Sequence, residues 1–415
     1  MRLCFDELTA AGFRTLSADP DFWDDAGHPM TPRPDILYLG ILLGHGGDAK
    51  QLLELAGGMV QRGARVQAVV PLLETTRGFA EQGRKRGIDV VRTPWLRSNI
   101  MGARQNPLNV LRLFHTYRAP LLHLHTGDCC LPRTVVLAMR ALRLPRAFVT
   151  VQNAHVSLTP GEPRALAWAT AVERQVELLV CPSNHSRRSQ LAFGVSVARV
   201  RVIHNSVDLS RFGGGVAQKA RNALGVDEDT PLVVFTSRLD EVKRPLDAIE
   251  AFARVAPDFP SAQLVFVGQG NLEEGTRAAA KRLGLTARVR FVGYQDNVED
   301  WLAAATVWIL PTERENFSLA VLEAMAAGRA IVSTMSPGND EVLIDGDNAL
   351  TNAVGDLAAM AASLHRLLSD PPLRARLGAA ARATAHRYAS ERMVDAYAEC
   401  YSRRPKRLEV GGAVG

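Results

Sequence analysis

Residues 306–335 read TVWILPTERENFSLAVLEAMAAGRAIVSTM. TVWILPT is a short apolar run ending at Thr312. Continuous runs of this kind are strands covered on both faces of a parallel sheet. From Leu319 onward Leu, Val, Ala and Met recur at helical spacing, and Ser318 before them suits an N-cap. IVSTM is a further strand. A strand, a loop, a helix and a strand in succession form a βαβ unit, so the stretch predicts an α/β fold. Beyond Glu313 at the loop start, two acids stand out. Glu315 falls in the loop Glu313–Phe317, and Glu323 lies about one turn inside the helix.

The same rhythm extends outward. DILYLGI, ARVQAVVP, IDVVRTP, PLLHLH, AFVTVQN, ELLVCPS and ARVRVIHN are strand-like runs separated by helical segments. NSVDLSRFGGGVAQKARNALGVDEDTP then reads as a loop-like break. The rhythm restarts with PLVVFTSRL, QLVFVGQG, RVRFVGY, TVWILPT and IVSTM, and the chain ends in helices. Two parallel-sheet domains with a hinge near 205–215 follow. The expected division is an extension over 1–34, rich in Pro and Asp, one domain over 35–205, a second over 206–385, and a final segment over 386–415. Ligands of such sheets bind beyond the carboxyl ends of the strands, so the turns after strands are the candidate cleft residues.

Composition bounds the function. Hydrophobic content of 47% and charged content of 22% fit a soluble globular protein. No apolar run approaches the ~18–20 residues of a membrane helix. The start, MRLCFDELTAAGF, mixes acids into its apolar residues and does not read as a secretory signal. Cys4, Cys129, Cys130, Cys181 and Cys400 form no C-x-x-C pair, and we read them as reduced thiols of a cytoplasmic protein. Up to Phe212 there are 26 Lys/Arg against 17 Asp/Glu, whereas the remainder carries 23 against 26. The basic first half is expected to face an anionic surface, either a membrane leaflet or an anionic acceptor. The bland alternative is a soluble basic face with no partner. No nucleic-acid partner is expected.

The second-domain loops carry the chemistry. Arg238 and Lys243 follow a strand in SRLDEVKRP. A guanidinium forks onto phosphate oxygens and an ammonium adds a point charge; the alternative is a surface ion pair with Asp240 or Glu241. Gly268 and Gly270 in VGQG let backbone approach a ligand. Gly293 and Tyr294 in VGYQDNV sit where a planar base could stack. The free N–H groups of Phe317, Ser318 and Leu319 at a helix start form an anion site. Glu323 among apolar residues needs a partner, and two adjacent ribose hydroxyls suit it; a surface acid favoured by the helix dipole is the alternative. Together these describe a nucleoside-diphosphate site without a Walker loop and without an acid cluster suited to Mg²⁺.

E-x7-E with NFSL and EAMAAG, the strand IVST, Gly338 to Glu341, SRLDEVKRP, VGQGNLEE, VRFVGYQDNV and VIHNSVDLSRF together resemble glycosyltransferase family 4. The resemblance covers most of the chain from about residue 35. It implies the GT-B fold, two Rossmann-like domains facing across a cleft, with the last helix crossing back to the first domain. It implies a retaining, metal-independent hexosyltransferase whose nucleotide-sugar donor is a substrate and not a cofactor. The acceptor would be a glycan or lipid-linked hydroxyl; the basic excess of the first domain, with Arg84, Lys85, Arg86, Arg97 and Arg104, suggests a lipid-linked or anionic one at the inner membrane face. By the same resemblance Arg238 and Lys243 bind the donor diphosphate and Glu323 the ribose. Glu315 contacts the sugar, the amides of Asn316, Phe317, Ser318 and Leu319 bind sugar hydroxyls and phosphate, and Gly46 and Gly47 close over the phosphate.

The first domain departs from the family pattern. Where a histidine often follows the strand AFVTV, this chain has Gln152 and Asn153, with His155 three residues beyond Gln152. His125 in HLHTGD and His45 in LLGHGGD are the other candidates for the sugar side. HNSVD replaces the frequent N-G-V-D form, and SPGND replaces a frequent double glycine. A sugar-nucleotide 2-epimerase and a non-catalytic sugar-nucleotide-binding protein are the rival functions.

Overall fold

The computed structural model describes residues 33–41, 46–96, 106–141, 146–152 and 160–403. The expected extension over 1–34 lies, except for its last two residues, outside them. So do His45, Asn153 and His155.

Among the described residues seven strands form the first sheet: β1 (Ile36–Ile41), β2 (Val66–Pro71), β3 (Asp89–Thr93), β4 (Leu121–Thr126), β5 (Arg146–Val151), β6 (Leu178–Cys181) and β7 (Val200–Val202). Their order is β3-β2-β1-β4-β5-β6-β7, every pair parallel. β1, β2 and β4 are buried at every residue. This is why they read as unbroken apolar runs.

The second sheet holds β8 (Leu232–Thr236), β9 (Gln263–Val267), β10 (Val289–Gly293), β11 (Val307–Leu310), β12 (Ile331–Thr334) and β13 (Leu350–Asn352). Its order is β10-β9-β8-β11-β12-β13, again parallel. β13, three residues long, has too few side chains to show a period. In each sheet the strand order reverses once, between β1 and β4 and between β8 and β11. Ligand crevices of open α/β sheets open at such reversals.

The stretch 205–231 is not the continuous loop its composition suggests. Helices occupy Leu209–Gly213 and Ala217–Leu224. Asp208 caps the first by accepting the Arg211 N–H at 2.9 Å. The second buries Ala220 and Leu224 beneath the sheet and ends on left-handed Gly225. Each is too short to establish a helical period. Ser206 at the hinge is clasped by Gln51, whose amide exchanges two 2.8 Å hydrogen bonds with the Ser206 backbone.

The last helix, Ser390–Ser402, packs on Gly47–Gln61 in the first domain. Gly58 permits the approach, since a Cβ there would stand 2.4 Å from Val394 Cγ2. The same helix completes a buried polar cluster under the first sheet. His123 Nε2 lies 2.8 Å from Thr150 Oγ1, which lies 2.9 Å from Tyr397 Oη. His123 Nδ1 bonds Tyr401 Oη, which is 3.3 Å from Tyr38 Oη. Burial, with His125 adding to it, holds His123 well below the usual imidazole range. These pairings satisfy polar groups that would otherwise be costly to bury.

Candidate active site

Glu315 and Glu323 of the stretch 306–335 each hold a lysine. Glu315, at the β11 end of the second reversal, accepts from Lys243 Nζ at 2.5 Å. Both side chains are at most 13% exposed. Glu323 accepts from Lys50 Nζ at 2.7 Å, and Lys50 belongs to the first domain. Lys243 and Glu315, expected to act separately on diphosphate and sugar, are therefore one buried ion pair. An unpaired charge in such a place would cost several kcal/mol, on the order of 3–5.

Arg238 is more exposed than Lys50 or Lys243, 67% accessible, and rests 3.0 Å from Asp240. That ion pair is one of the two readings its sequence context allowed. Most of its side chain remains open to solvent, and its charge is felt by Asp48 of the first domain.

Ser318 occupies the N-cap position of helix Leu319–Ala326, but its hydroxyl makes no capping bond. The Phe317 ring is buried against His204 and Tyr388, and its carbonyl accepts from Asn205 at 3.2 Å. Asn316 reaches across to the first domain, donating to the Gln152 carbonyl and lying 3.2 Å from Ser183 Oγ. Tyr294 is half exposed after β10, and both it and Arg211 feel the charge of Glu323. Tyr294 and Glu323, expected on the base and ribose side of a nucleotide, are thus within electrostatic reach of each other.

Gly268 and Gly270 have a reason to be glycine within the protein itself. A Cβ at Gly268 would lie 2.0 Å from the Ser237 carbonyl oxygen, and one at Gly270 would lie 2.1 Å from that of Leu239. Gly268 also has φ of +147°. The loop after β9 crosses the loop after β8 at backbone contact, which positions Arg238.

On the first-domain side Gly46 stands before helix Gly47–Gln61. A Cβ on Gly47 would meet Leu319 Cδ1 at 3.0 Å, so helix starts from opposite domains abut here. His125, 1% exposed at the end of β4, lies 3.4 Å from Gln152 Nε2. Burial pushes its pKa down to about 4, so its ring is neutral near pH 7.

Two residues not singled out in the sequence, Lys50 and Asp48, belong here, together with Glu341 of the signature Gly338 to Glu341. Lys50 closes on Glu323. Asp48 lies at the β1/β4 reversal, where Gly46 and Gly127 leave room for its carboxylate; burial raises its pKa, against the Ala49 N–H and the charge of Arg238. Glu341 reaches the first domain and accepts from the backbone N–H of Asn184 and of His185, both at 2.9 Å. The position of Lys50 and Asp48 directly after the glycine pair was the available signal. Among the described residues no group of three His, Cys, Asp or Glu side chains is gathered to hold a metal ion.

Two Rossmann-like parallel sheets with acids, cations and helix starts at facing strand ends define a GT-B protein. Two family profiles match the chain side by side, "Glycosyltransferase Family 4" over residues 45–211 and "Glycosyl transferases group 1" over residues 216–384. The chain belongs to the group 1 glycosyltransferases of family 4 type.

Among its relatives, the putative glycosyltransferase EpsD of Bacillus subtilis is 34% identical over 185 residues, 45% of this chain and 49% of that protein. The lipopolysaccharide core biosynthesis glycosyltransferase LpsE of Rhizobium meliloti is 31% identical over 235 residues, 56% of this chain and 66% of that protein. The chain thus spans between about half and two thirds of the length of these curated relatives. Anabaena HepE, crystallised with UDP and glucose, superposes with a TM-score of 0.75 at 21% identity, covering 90% of this chain and 100% of that one. At that identity the likeness is one of fold.

Proposed function

We propose that the protein transfers a hexose from a nucleoside-diphosphate sugar to a hydroxyl acceptor, with retention at the anomeric carbon, in cell-surface polysaccharide or glycolipid synthesis. The observation that carries this is the pair of acids across one helix start. Glu323 is positioned for a ribose beside Tyr294 and Arg211, and Glu315 is fixed by Lys243 nearer the sugar. The names of EpsD and LpsE, both glycosyltransferases, and the UDP and glucose bound to HepE support the reading.

In this mechanism the departing diphosphate is stabilised by Arg238, Lys243 and the amides at the start of helix Leu319–Ala326. These cations take the part a divalent metal plays elsewhere. The neutral His125 and Gln152 border the sugar from the first domain, and the domains hold donor and acceptor together. The acceptor is a glycan or lipid-linked hydroxyl. The basic first domain favours its delivery from an anionic membrane on the cytoplasmic side. No helix among the described residues is long and apolar enough to cross a membrane.

Incubation with UDP- and GDP-sugars, following nucleotide release with and without a glycan acceptor, tests the reading. Release that depends on acceptor and disappears in Glu323→Ala and Lys243→Ala is expected. Epimerisation of the sugar nucleotide without transfer, or release unchanged in both variants, overturns it.

A further inference from the structure

We propose that Lys50 is a third donor cation, stored on Glu323 until the ribose of an incoming nucleotide takes that carboxylate and frees the ammonium for the diphosphate. The inference rests on the assignment of Glu323 to the ribose made above, and adds a residue and an order of events to it.

Three observations meet at this pair. The ion pair is lopsided: the Lys50 side chain is 44% exposed, whereas that of Glu323 is 9% exposed. Returning an accessible ammonium on a flexible stem to water costs little. Leaving the enclosed carboxylate alone costs much more. The pair therefore stays shut in the empty protein and opens cheaply only when another donor reaches Glu323. Two adjacent ribose hydroxyls are such a donor, and they bring the phosphates with them.

Lys50 also lies one turn inside helix Gly47–Gln61, whose start abuts Leu319 at the start of the other domain's helix. The released ammonium thus remains beside two helix N-termini, where phosphate is favoured. Finally, the stored cation comes from the opposite domain. The exchange turns a domain-to-domain ion pair into a domain-to-ligand contact, so nucleotide replaces the tie that it breaks.

Binding measurements on the whole protein separate this role from that of a static tie. UDP is titrated by calorimetry and uridine by NMR, with GDP and guanosine as a parallel pair. In Lys50→Met, which keeps the stem and removes the charge, UDP should bind roughly tenfold more weakly or worse. Uridine should bind as well as before or better, because its ribose no longer competes with the lysine. Lys50→Arg should recover most of the diphosphate affinity. Lys50→Gln serves as a second uncharged variant should Lys50→Met fail to fold.

Equal weakening of diphosphate and nucleoside overturns the exchange, and so does unchanged UDP affinity. A wild-type protein that binds neither UDP nor GDP overturns the proposed function and this inference together. Normal wild-type binding with no selective loss in the variants overturns this inference alone.

Discussion

The Glu341 carboxylate of the second domain accepts the His185 backbone N–H of the first at 2.9 Å. Asn184 gives the same carboxylate its N–H at 2.9 Å and its side-chain amide at 3.0 Å. The helix Asn184–Ala192 is thus capped in part by an acid from across the cleft. An acid at a helix start is favoured by the orphan amides and the dipole there.

This contact makes closure sensitive to acid. Burial of Glu341 opposes its charge, but hydrogen bonds from His204, Asn184 and His185 outweigh that and bring its pKa down to about 2. A carboxyl depressed by folding stabilises fully above its ordinary value of 4.5 and loses that contribution as pH falls toward 2. After allowance for solvent screening, Glu341→Gln should cost about 1–2 kcal/mol at neutral pH. The gap from wild type, read by denaturant unfolding, should shrink to less than half by about pH 3. A gap that does not change with pH would count against the contact.

Lys243→Ala should destabilise the protein as well as abolish donor binding, because it strands Glu315 at 9% exposure. The expected loss is about 3–5 kcal/mol. Replacing both partners, Lys243→Met with Glu315→Leu, should recover most of the stability and none of the activity. Thermal unfolding and nucleotide release on the three proteins read the two effects apart. If the double variant is as unstable as the single one, the buried pair is not the cause.

His125 should stay neutral through the working pH range. With burial holding its pKa at about 4, its ring resonances in NMR should show no titration between about pH 8 and 5. A histidine lowered by folding favours the unfolded chain as acid is added, so its effect on stability begins below pH 6.5. A midpoint near 6.5 for this ring would mean that the pocket is wetter than its 1% exposure indicates.

Gly268→Ala should be far costlier than its distance from the acids suggests. The new methyl meets the Ser237 carbonyl oxygen at 2.0 Å, and both are tied to backbone. A loss of about 2–4 kcal/mol is expected, together with weakened UDP binding as the Arg238 loop shifts. Calorimetry and thermal unfolding check both. Stability within ~0.5 kcal/mol of wild type would be incompatible with the crossing of the two loops.

The strands of both sheets were legible because burial on two faces writes itself as unbroken apolar residues. Glu315 and Glu323 were legible because acids stand out against Leu, Val and Met. What holds those acids was not. Glu323 and Lys50 are 273 positions apart, and Glu341 and Asn184 are 157 apart. No periodicity reports which lysine of one domain meets which acid of another. The helix Ala217–Leu224 escaped for a local reason: its Ala, Gln and Lys residues show scarcely two turns of pattern beside three glycines.

The cluster under the first sheet sets a schedule for synthesis. His123 and Tyr401 are 278 residues apart, and Thr150 and Tyr397 are 247 apart. At ~5–20 residues per second a ribosome needs on the order of ten seconds to a minute to deliver the second member of each pair. During that interval His123 and Thr150 in the nascent first domain have each other but lack Tyr401 and Tyr397, and Tyr38 lacks Tyr401. The domain made first is therefore finished last. A message truncated just before the codon for Ser390 would release a chain with every residue proposed for the donor site present and its first sheet without Tyr397 and Tyr401.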